Sequence, residues 1–436
     1  MRQLHDEAVH GLYVTFDGLL EPLGRTQVLS YLLGLAREGH RVAVLSFENS
    51  NDLRDKGKRD SLRRELEKEG IPWVALVRHR SPRVVSTAWD IVKGTAVALR
   101  LSRRYRPAVV HARSCLAGLI ATAVREMTGA RLIFDMRGFW PEERVELGLF
   151  AQNGSRYRAA KLLEKRLLAA ADHVVVLTES AKAILREREA NARLASANIR
   201  EAPISVVPCS VDLERYRPLP RDLELARSHD LESSVVIGNI GAFNRRYLTV
   251  EMFRFAFHVK AHRPDLRFVY LTVQSPDGVR RVARDAGFDD QDVLILRAEP
   301  SDVPRWLSLF RLGVFFLRPS YAAKASSFAK LGEFLAAGVP VVTNTGVGDV
   351  DRILASDRCG LVLPGLTDRD LSAFAKKALP LLEGDGVPEQ VRRQCRAAAA
   401  EHFALTDGVR RYRAIYDSLA SSPRPAEKAE IAAEVR

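Results

Sequence analysis

Short apolar runs alternate with longer segments of helical periodicity from one end of this chain to the other, and this alternation restricts the fold to the α/β class. The pattern begins at His10–Phe16 and restarts near Val235, after three prolines interrupt the periodicity within Pro208–Arg227. Strands separated by helices indicate β-α-β units and parallel sheets. A length of 436 residues also favours two domains over one compact core.

Seven candidate strands precede the interruption and six follow it. The first seven are His10–Phe16, Arg41–Phe47, Trp73–Val77, Ala108–Arg113, Arg131–Met136, His173–Thr178 and Ile204–Val207. The other six are Val235–Ile240, Arg267–Val273, Val293–Leu296, Leu312–Leu317, Val339–Asn344 and Gly360–Leu363. Helical patterns lie between them, for example at Gln27–Glu38, Thr249–His262 and Phe328–Ala337.

We therefore predict two tandem Rossmann-like, doubly wound domains at residues 1–207 and 208–405. An amphipathic helix at 406–420 carries Val409, Tyr412 and Ile415 on one face. The tail at 421–436 has the composition of a disordered segment. Ligands bind beside the carboxyl ends of parallel strands, so we expect a cleft between the domains to hold a nucleotide-like ligand.

Composition and net charge indicate the compartment of the protein and the kinds of partner it binds. The four cysteines are far apart and have no partner at metal-ligand spacing, which indicates reduced thiols and a cytoplasmic protein. The N-terminus lacks the apolar core of a signal peptide, and apolar runs such as Leu312–Leu317 have only strand length. A net charge of +13 favours an anionic membrane face and a phosphate-bearing substrate. Arginines spread along the chain, without an aromatic-interleaved basic tract, argue against nucleic acid.

Three loops of the first domain carry candidate residues. Gly24 and Arg25 follow the first strand, where a glycine before a helix lets backbone N–H groups approach an anion. His111 lies at the end of another strand. Asp135 and Arg137 leave the next one, and such a pair can position an acceptor hydroxyl or accept its proton. The alternatives are a plain β-α turn for the loop with Gly24, a satisfied edge residue for His111, and a structural ion pair for Asp135 and Arg137.

Two segments of the second domain suggest a donor site. The loop Gly238–Arg246 offers phosphate ligands, and its candidates are Gly241, Asn244, Arg245 and Arg246. The second segment holds Ser326 and Ser327 as N-caps of a helix, followed by Lys330 and Glu333 one turn apart. A helix N-terminus, hydroxyls and a lysine suit a diphosphate, and a carboxylate can accept two ribose hydroxyls. The alternatives are a solvated basic turn and a capped surface helix.

The second segment, in which EFLAAGVPVV begins at Glu333, resembles the signature of the retaining glycosyltransferases of family 4. Further segments agree in order over about residues 10–420: DGLLEPLGRTQVLSYLLGLAREGHRVAVLSFE, VVHARS, FDMRGFWPEE, AADHVVVLTESAK and ISVVPCSVDLERYRP. The resemblance implies the GT-B fold, an inter-domain active site, and a C-terminal helix that returns to the first domain. It also implies transfer of a sugar with retention, without a metal or cofactor, from a nucleotide-diphosphate donor.

Residue by residue, the resemblance assigns Glu333 to the donor ribose and either Asp135 or Arg137 to the acceptor side. The first glutamate of the family's E-x7-E pattern is Ala325 in this chain, so Lys330 and the serines take over phosphate and sugar contacts. We expect a lipid-linked or polysaccharide acceptor and a peripheral position at the inner face of the membrane. The alternatives are a nucleotide-sugar epimerase of the same fold and a nucleotide-sugar-binding assembly protein without catalysis.

Overall fold

The computed structural model describes residues 9–195, 202–357 and 359–421. Over these residues the chain forms two parallel sheets with helices between the strands. The strands of the first sheet are β1 Gly11–Thr15, β2 Val42–Glu48, β3 Trp73–Val77, β4 Val109–Arg113, β5 Arg131–Asp135, β6 His173–Val176 and β7 Ile204–Val206. Those of the second are β8 Val235–Ile240, β9 Leu266–Thr272, β10 Val293–Arg297, β11 Phe310–Val314, β12 Val341–Asn344 and β13 Gly360–Leu363.

The helices fill the intervals between strands. In the first part of the chain they are α1 Pro22–Gly24, α2 Ser30–Arg37, α3 Ser50–Arg54, α4 Lys56–Lys68, α5 Arg83–Tyr105, α6 Ser114–Thr128, α7 Trp140–Glu146, α8 Ser155–Ala170 and α9 Glu179–Ala195. In the second part they are α10 Leu223–Ser228, α11 Thr249–Lys260, α12 Asp277–Asp285, α13 Val303–Leu307, α14 Ala329–Ala336, α15 Val350–Asp357, α16 Asp368–Ala378, α17 Glu389–Phe403 and α18 Leu405–Ala420.

The described residues divide into two compact units. Unit 1 comprises residues up to 145, 150–207 and those from 405 onward, and unit 2 comprises 146–149 and 208–404. Of the predicted tail at 421–436, all but Ser421 lies outside the described residues. Because unit 1 includes the residues from 405 onward, the last helix, α18, belongs to the same unit as the first strand.

Unit 1 is built on a seven-stranded sheet of order β3-β2-β1-β4-β5-β6-β7. Every residue of β1, β4 and β5 is buried, because helices cover both faces of a parallel sheet. One face packs against α2 and α18. The apolar residues Val409, Tyr412 and Ile415 of α18 belong to the core cluster on this face of the sheet. The other face packs against α5 and α6.

Unit 2 is built on a six-stranded sheet of order β10-β9-β8-β11-β12-β13. Its core is rich in phenylalanine, with Phe253, Phe268 and Phe334 fully buried. All thirteen predicted strands are present in the described residues, shifted by at most a few residues at their ends. The predicted α/β class with two doubly wound sheets is confirmed.

The helix after β1 begins earlier than predicted. Glu21 is extended and Pro22 takes the first helical position, where the fixed φ of proline suits a helix start. A π-helical turn at Arg25–Leu29 then joins α1 to α2. The prediction that Gly24 precedes the helix is therefore wrong, because this glycine lies inside the first helical turn.

The predicted N-caps of α14 are also wrong. This helix begins at Ala329 after Phe328, an extended residue whose side chain makes no capping hydrogen bond. A short 3-10 turn at Ala323–Ala325 holds Ser326, whose N–H donates to Ala323 O at 3.1 Å. Ser327 and Phe328 connect this turn to Ala329, the first residue of α14.

Candidate functional site

Three charged residues meet at the carboxyl edge of the unit 1 sheet. Asp135 ends β5, Arg113 ends β4 beside it, and Asp17 follows β1. Arg113 Nε donates to Asp17 Oδ2 at 2.6 Å, and its Nη1 lies 3.6 Å from Asp135 Oδ2. Arg113 and Asp135 are buried, at 3% and 0% exposure. The parallel strands thus bring together residues far apart in sequence and balance their charges.

Two tyrosines of α18 complete this network. Tyr412 donates its hydroxyl hydrogen to Asp135 Oδ2 at 3.0 Å, and the hydroxyl of Tyr416 lies 3.1 Å from Nδ1 of His111. His111 Nε2 is 3.7 Å from Asp135 Oδ2. His111 is 1% exposed, so it contacts this network and packed aromatic rings, not solvent. We name these groups, with Arg113 and Asp17, the Asp135 network.

Burial and charge set the protonation of the network. Burial lowers the pKa of His111 and outweighs the opposing effect of Asp135, which favours a neutral ring at neutral pH. Burial alone would raise the pKa of Asp135. The cations Arg137 and Arg113, together with the neighbouring ring of His111, instead hold the pKa of that carboxyl below its ordinary value. Asp135 is therefore a fixed, ionised carboxylate.

Two neighbouring strand exits have left-handed backbone conformations. Ser114, after β4, has φ of 75°, and Arg137, after β5, has φ of 60°. A residue other than glycine pays on the order of 1–2 kcal/mol for this conformation, and such residues concentrate at functional sites. Arg137 Nη1 lies 3.9 Å from Asp135 Oδ1. The structure thus places the predicted residues Asp135, Arg137 and His111 together.

The loop after β1 is held by Glu48, a residue that sequence reasoning missed. Its carboxylate accepts hydrogen bonds from the backbone N–H groups of Leu19 at 2.8 Å and Leu20 at 3.1 Å. Gly24 approaches the carbonyl of Gly18 so closely that a Cβ at position 24 would lie 1.8 Å from that oxygen. Gly24 is thus a close-packing residue of this loop.

Arg25, the other predicted residue of this loop, points elsewhere. Its guanidinium forms an exposed ion pair with Glu65 of α4 at 3.0 Å. An exposed pair of this kind contributes little to stability. The structure therefore does not join Arg25 to the Asp135 network.

In unit 2 a buried lysine lies at the carboxyl end of β8. Lys330 Nζ donates to Oδ1 of Asn239 at 3.0 Å and lies 4.1 Å from the ring centroid of Tyr247. The side chain is 7% exposed, and no carboxylate among the described residues forms an ion pair with it. Burial lowers the pKa of Lys330 to about 7, although the charge of Glu333 acts in the opposite direction. A cation with only neutral partners is costly in a buried position.

The loop after β8 is built around this lysine. Gly241 has φ of 123°, and a Cβ there would lie 3.1 Å from Lys330 Nζ, so a glycine is needed. Asn244 closes a turn, because its Oδ1 accepts from the backbone N–H of Arg246 at 3.0 Å. Arg245 is exposed. The loop therefore brings Gly241 to Lys330 and uses Asn244 for local structure.

The two serines before α14 bind separate segments of unit 2. Arg246 Nη2 donates to Ser326 Oγ at 2.6 Å, which ties the loop after β8 to the start of α14. Ser327 Oγ accepts from the backbone N–H of Cys209 at 3.1 Å. Because Phe328 cannot cap α14, the first N–H groups of that helix have no side-chain acceptor. An anion is a suitable partner for such a helix start.

Glu333 lies one turn along α14 from Lys330. Its Oε1 accepts from the hydroxyl of Tyr216 at 3.1 Å, while Oε2 has no hydrogen-bond partner in the part of unit 2 that the structure describes. Burial raises the pKa of Glu333, opposed by the hydrogen bond from Tyr216 and by the charge of Lys330. Ala325 is 1% exposed in its short turn, so a glutamate at this position would carry a high desolvation cost.

Sequence reasoning missed five residues that complete these two clusters: Arg113, Glu48, Tyr412, Asn239 and Tyr216. Each is a partner to a predicted residue or loop and comes from another element. Two of them carried a signal, because Arg113 is a charged residue at the end of a buried strand and Tyr412 lies on the apolar face of an amphipathic helix. Among the described residues, no group of three or more histidines, cysteines and acidic residues is arranged to hold a metal ion.

Comparisons with known proteins agree with this architecture. Residues 24–209 match the family model of the glycosyl transferase 4-like domain. No curated protein sequence matches the chain. Among solved structures, sucrose-phosphate synthase from Thermosynechococcus elongatus is similar, with 16% identity and a TM-score of 0.71 over 94% of this chain and 99% of that one.

Two further solved structures bear on ligands and alternatives. Anabaena HepE, solved in complex with UDP-glucose, has 13% identity and a TM-score of 0.66 over 94% of this chain and 99% of its own. A protein from Listeria monocytogenes, described as a putative UDP-N-acetylglucosamine 2-epimerase, has 16% identity and a TM-score of 0.57 over 96% of this chain and 99% of its own. At these identities the similarity concerns the fold, and the predicted GT-B class is confirmed.

Proposed function

We propose that this chain, which has the GT-B fold and matches the glycosyl transferase 4-like domain over residues 24–209, transfers a sugar, with retention, from a nucleotide-diphosphate donor to a hydroxyl acceptor. Unit 2 binds the donor and unit 1 binds the acceptor. The chemistry uses neither a metal nor another cofactor.

The observation that carries this proposal is the buried ammonium group of Lys330. It is held by the amide oxygen of Asn239 and the ring of Tyr247, and neither partner neutralises its charge. A diphosphate would provide the missing negative charge, and the uncapped N–H groups at the start of α14 would bind its oxygens. Binding would also favour the protonated lysine, whose pKa burial has lowered to about 7.

The remaining donor contacts follow from the geometry around α14. Glu333 has one oxygen committed to Tyr216 and offers the other to a ribose hydroxyl. Arg246, tied to Ser326, lies in the same loop as the exposed Arg245 and supplies positive charge for the leaving diphosphate. These preoriented charges stabilise the leaving group without a metal. UDP-glucose is the first donor to test, because HepE was solved with it.

On the acceptor side, Asp135 and Arg137 orient the attacking hydroxyl at the strand edge. Asp135 is ionised and fixed by Tyr412, so it can accept a hydrogen bond from an acceptor hydroxyl. His111 acts through Asp135, because it is buried beneath Tyr416. The hydroxyl attacks from the face of the leaving group, and a β-phosphate oxygen takes its proton, which retains the anomeric configuration.

The acceptor class follows from surface charge and from family resemblance. A net charge of +13 suits an anionic surface, so the proposed acceptor is lipid-linked or part of a polysaccharide. The protein then works in the cytoplasm at the inner face of the membrane. No helix in the described part of the chain is long and apolar enough to cross a bilayer.

A nucleotide-sugar epimerase is the second candidate, and the similarity to the Listeria protein favours it. An epimerase would convert the donor without an acceptor, whereas a transferase would require one. The position of Ala325 motivates a third reading, a nucleotide-sugar-binding assembly protein without turnover.

The test is release of nucleotide from a panel of UDP- and GDP-sugars, measured with and without EDTA and with and without a crude lipid extract. A transferase releases one nucleotide only when the extract is present, and EDTA has no effect. Glu333→Ala should abolish this release, while Glu299→Ala, a substitution outside the site, should not. Epimerised sugar without an acceptor would favour the second candidate, and binding without any turnover would favour the third.

A further inference from the structure

The longest helix of unit 1, α5, exposes a row of large apolar side chains. Val84, Val85, Trp89 and Val92 are 72%, 67%, 59% and 64% exposed. Spacings of four and three residues place Val85, Trp89 and Val92 on one side of the helix, with Val84 next to Val85 at its start, and we call the four residues the α5 stripe. An exposed, contiguous apolar surface usually marks an interaction site.

The charges around the α5 stripe have one sign. From Arg78 to Arg104 the sequence has seven arginines and lysines and a single acidic residue, Asp90. Asp90 is 1% exposed and accepts from both the backbone N–H and the ring Nδ1 of His79, so it contributes no exposed negative charge. The exposed charged side chains of this segment are therefore cationic, as at Arg80 and Lys93.

The cations lie on the same side of the helix as the stripe. At about 100° per residue, Arg103 has the angular position of Val85, about 27 Å further along the axis. Arg100 lies about 60° from that direction, and Lys93 about 80°. Arg100 and Arg103 are exposed. One face of α5 is thus apolar in its first turns and basic in its last turns.

The apolar end of α5 lies at the functional edge of the sheet. The helix follows β3, so its first turn is at the carboxyl edge, and Arg78 Nη1 donates to the backbone oxygen of Phe16 at 3.2 Å. Arg80 Nη2 lies 3.9 Å from Glu21 in the loop after β1, beside Leu23, which is 53% exposed. The stripe therefore begins next to the loop that Glu48 holds.

We propose that this face of α5 docks on an anionic lipid bilayer, with the α5 stripe inserted into the headgroup region and the cations on lipid phosphates. A helix face that carries both large apolar side chains and cations can bind a membrane interface by partial insertion and by attraction to anionic lipids. Trp89 suits this position, because its ring is apolar and its N–H can reach water. This inference rests on the proposed position at the inner face of the membrane, for which it names the docking surface, and its test needs no donor or acceptor.

Charge complementarity selects the lipid over a second copy of this chain. If two copies packed along the whole of α5, a parallel pair would place cations against cations, and an antiparallel pair would place the basic turns of each helix against the apolar turns of the other; both arrangements are unfavourable. An anionic bilayer offers acyl chains to the apolar part of the face and headgroup phosphates to its basic part.

The experiment measures sedimentation of the full-length protein with vesicles of phosphatidylglycerol and phosphatidylcholine, without nucleotide, and with pure phosphatidylcholine for comparison. The double variant Val85→Ser, Trp89→Ser should weaken binding to the anionic vesicles on the order of tenfold or more. The variant Lys93→Ala, Arg103→Ala should weaken it about fivefold per cation removed. Met127→Ser is the matched control. Met127 is a large apolar residue that is 63% exposed, and it lies near the C-terminal end of another helix, α6.

A second measurement reports directly on insertion. Lipids brominated in the acyl chain should quench fluorescence from Trp89, the only tryptophan among the exposed large apolar residues of the described chain. Trp89→Phe should lose this quenching and keep most of the binding.

Equal vesicle binding by the double stripe variant and Met127→Ser would overturn the proposal. So would a concentration-dependent dimer that the stripe variant abolishes, or capture of an acidic protein in place of vesicles. Unchanged unfolding curves for all variants would exclude misfolding as the cause, since these side chains are exposed.

Discussion

The Asp135 network in unit 1 and the surroundings of Lys330 in unit 2 differ in how their charges are balanced. Asp135 is buried with two arginines and a tyrosine hydroxyl around it. Lys330 is equally buried but has only an amide and aromatic rings as direct partners. The first cluster pairs opposite charges within the protein, whereas the ammonium group of the second has no carboxylate partner among the described residues.

The comparison shows that removing a buried charge can have opposite effects on stability, depending on whether the charge is paired. In a balanced cluster, removal of one charge leaves its partners buried and uncompensated. In an unbalanced one, removal of the charge relieves a desolvation cost and destroys the binding site. Mutations in the two units should therefore separate stability from ligand binding.

The largest effect is expected from Asp135→Ala. It removes the buried carboxylate beside Arg137 and leaves Arg113 with Asp17 alone, and breaking a buried pair costs about 3–5 kcal/mol. Urea unfolding monitored by circular dichroism measures this loss. Asp172→Ala, which removes another buried carboxylate bound by arginines, should be similarly destabilising. A loss below about 1 kcal/mol for Asp135→Ala would show that the network is not balanced as described.

Lys330→Met should have the opposite profile. Affinity for UDP-glucose falls about 10- to 100-fold, since a hydrogen bond to a charged group contributes about 1.5–3 kcal/mol. The free energy of unfolding of the unliganded protein stays the same or rises, because the buried ammonium group is removed. Calorimetric titration and thermal unfolding measure the two quantities. Lys324→Met, a loss of an exposed lysine in the preceding turn, is the control for charge alone.

The dependence on pH sharpens the comparison further. If UDP-glucose binds as proposed, its diphosphate should prefer a protonated Lys330, whose pKa is about 7 in the free protein. Below that pH the affinity should be constant, and above it the affinity should fall about tenfold per pH unit, because binding must then take up a proton.

The unliganded stability has the reverse dependence on pH. An unfolded lysine keeps its proton to about pH 10.4, so the unfolded state binds more protons between pH 7 and 10, and stability from this group rises across that window. Lys330→Arg should remove the slope in affinity. A slope that persists in this variant would assign the titration to another group.

The smallest expected effects come from two tyrosines that donate to carboxylates. Tyr412→Phe removes the hydrogen bond to Asp135 and should lower stability by about 1–2 kcal/mol without changing nucleotide affinity. Tyr216→Phe frees Oε1 of Glu333 and should weaken nucleotide affinity severalfold at little cost in stability. Identical profiles for the two variants would contradict the distinction between the clusters.

The sequence predicted the parts of this structure that depend on local patterns. Apolar runs located all thirteen strands, because a buried parallel strand such as Val235–Ile240 is apolar along its whole length. Asp135 and Arg137 could be identified because they are charged residues at the end of a buried strand, where an unpaired charge is costly. The signature around Glu333 located the helix α14.

Pairings between distant residues could not be predicted. Tyr412 follows Asp135 by 277 positions, and its place on an amphipathic face indicated burial without a partner. Asn239 likewise reads as an ordinary strand residue until α14 brings Lys330 to it. The start of α14 was misjudged because serine before a helix normally caps it, whereas here Ser326 and Ser327 hold other segments.

The return of α18 to unit 1 has a consequence for the order of events during synthesis. While the ribosome is still making unit 2, the first seven strands exist without the helix that covers one face of their sheet. Asp135 then lacks its hydrogen bond from Tyr412, and His111 lacks Tyr416. A nascent chain that stops before Leu405 would expose this apolar face and be a substrate for chaperones or proteases. Unit 1 can therefore be completed only after unit 2 has been translated in full.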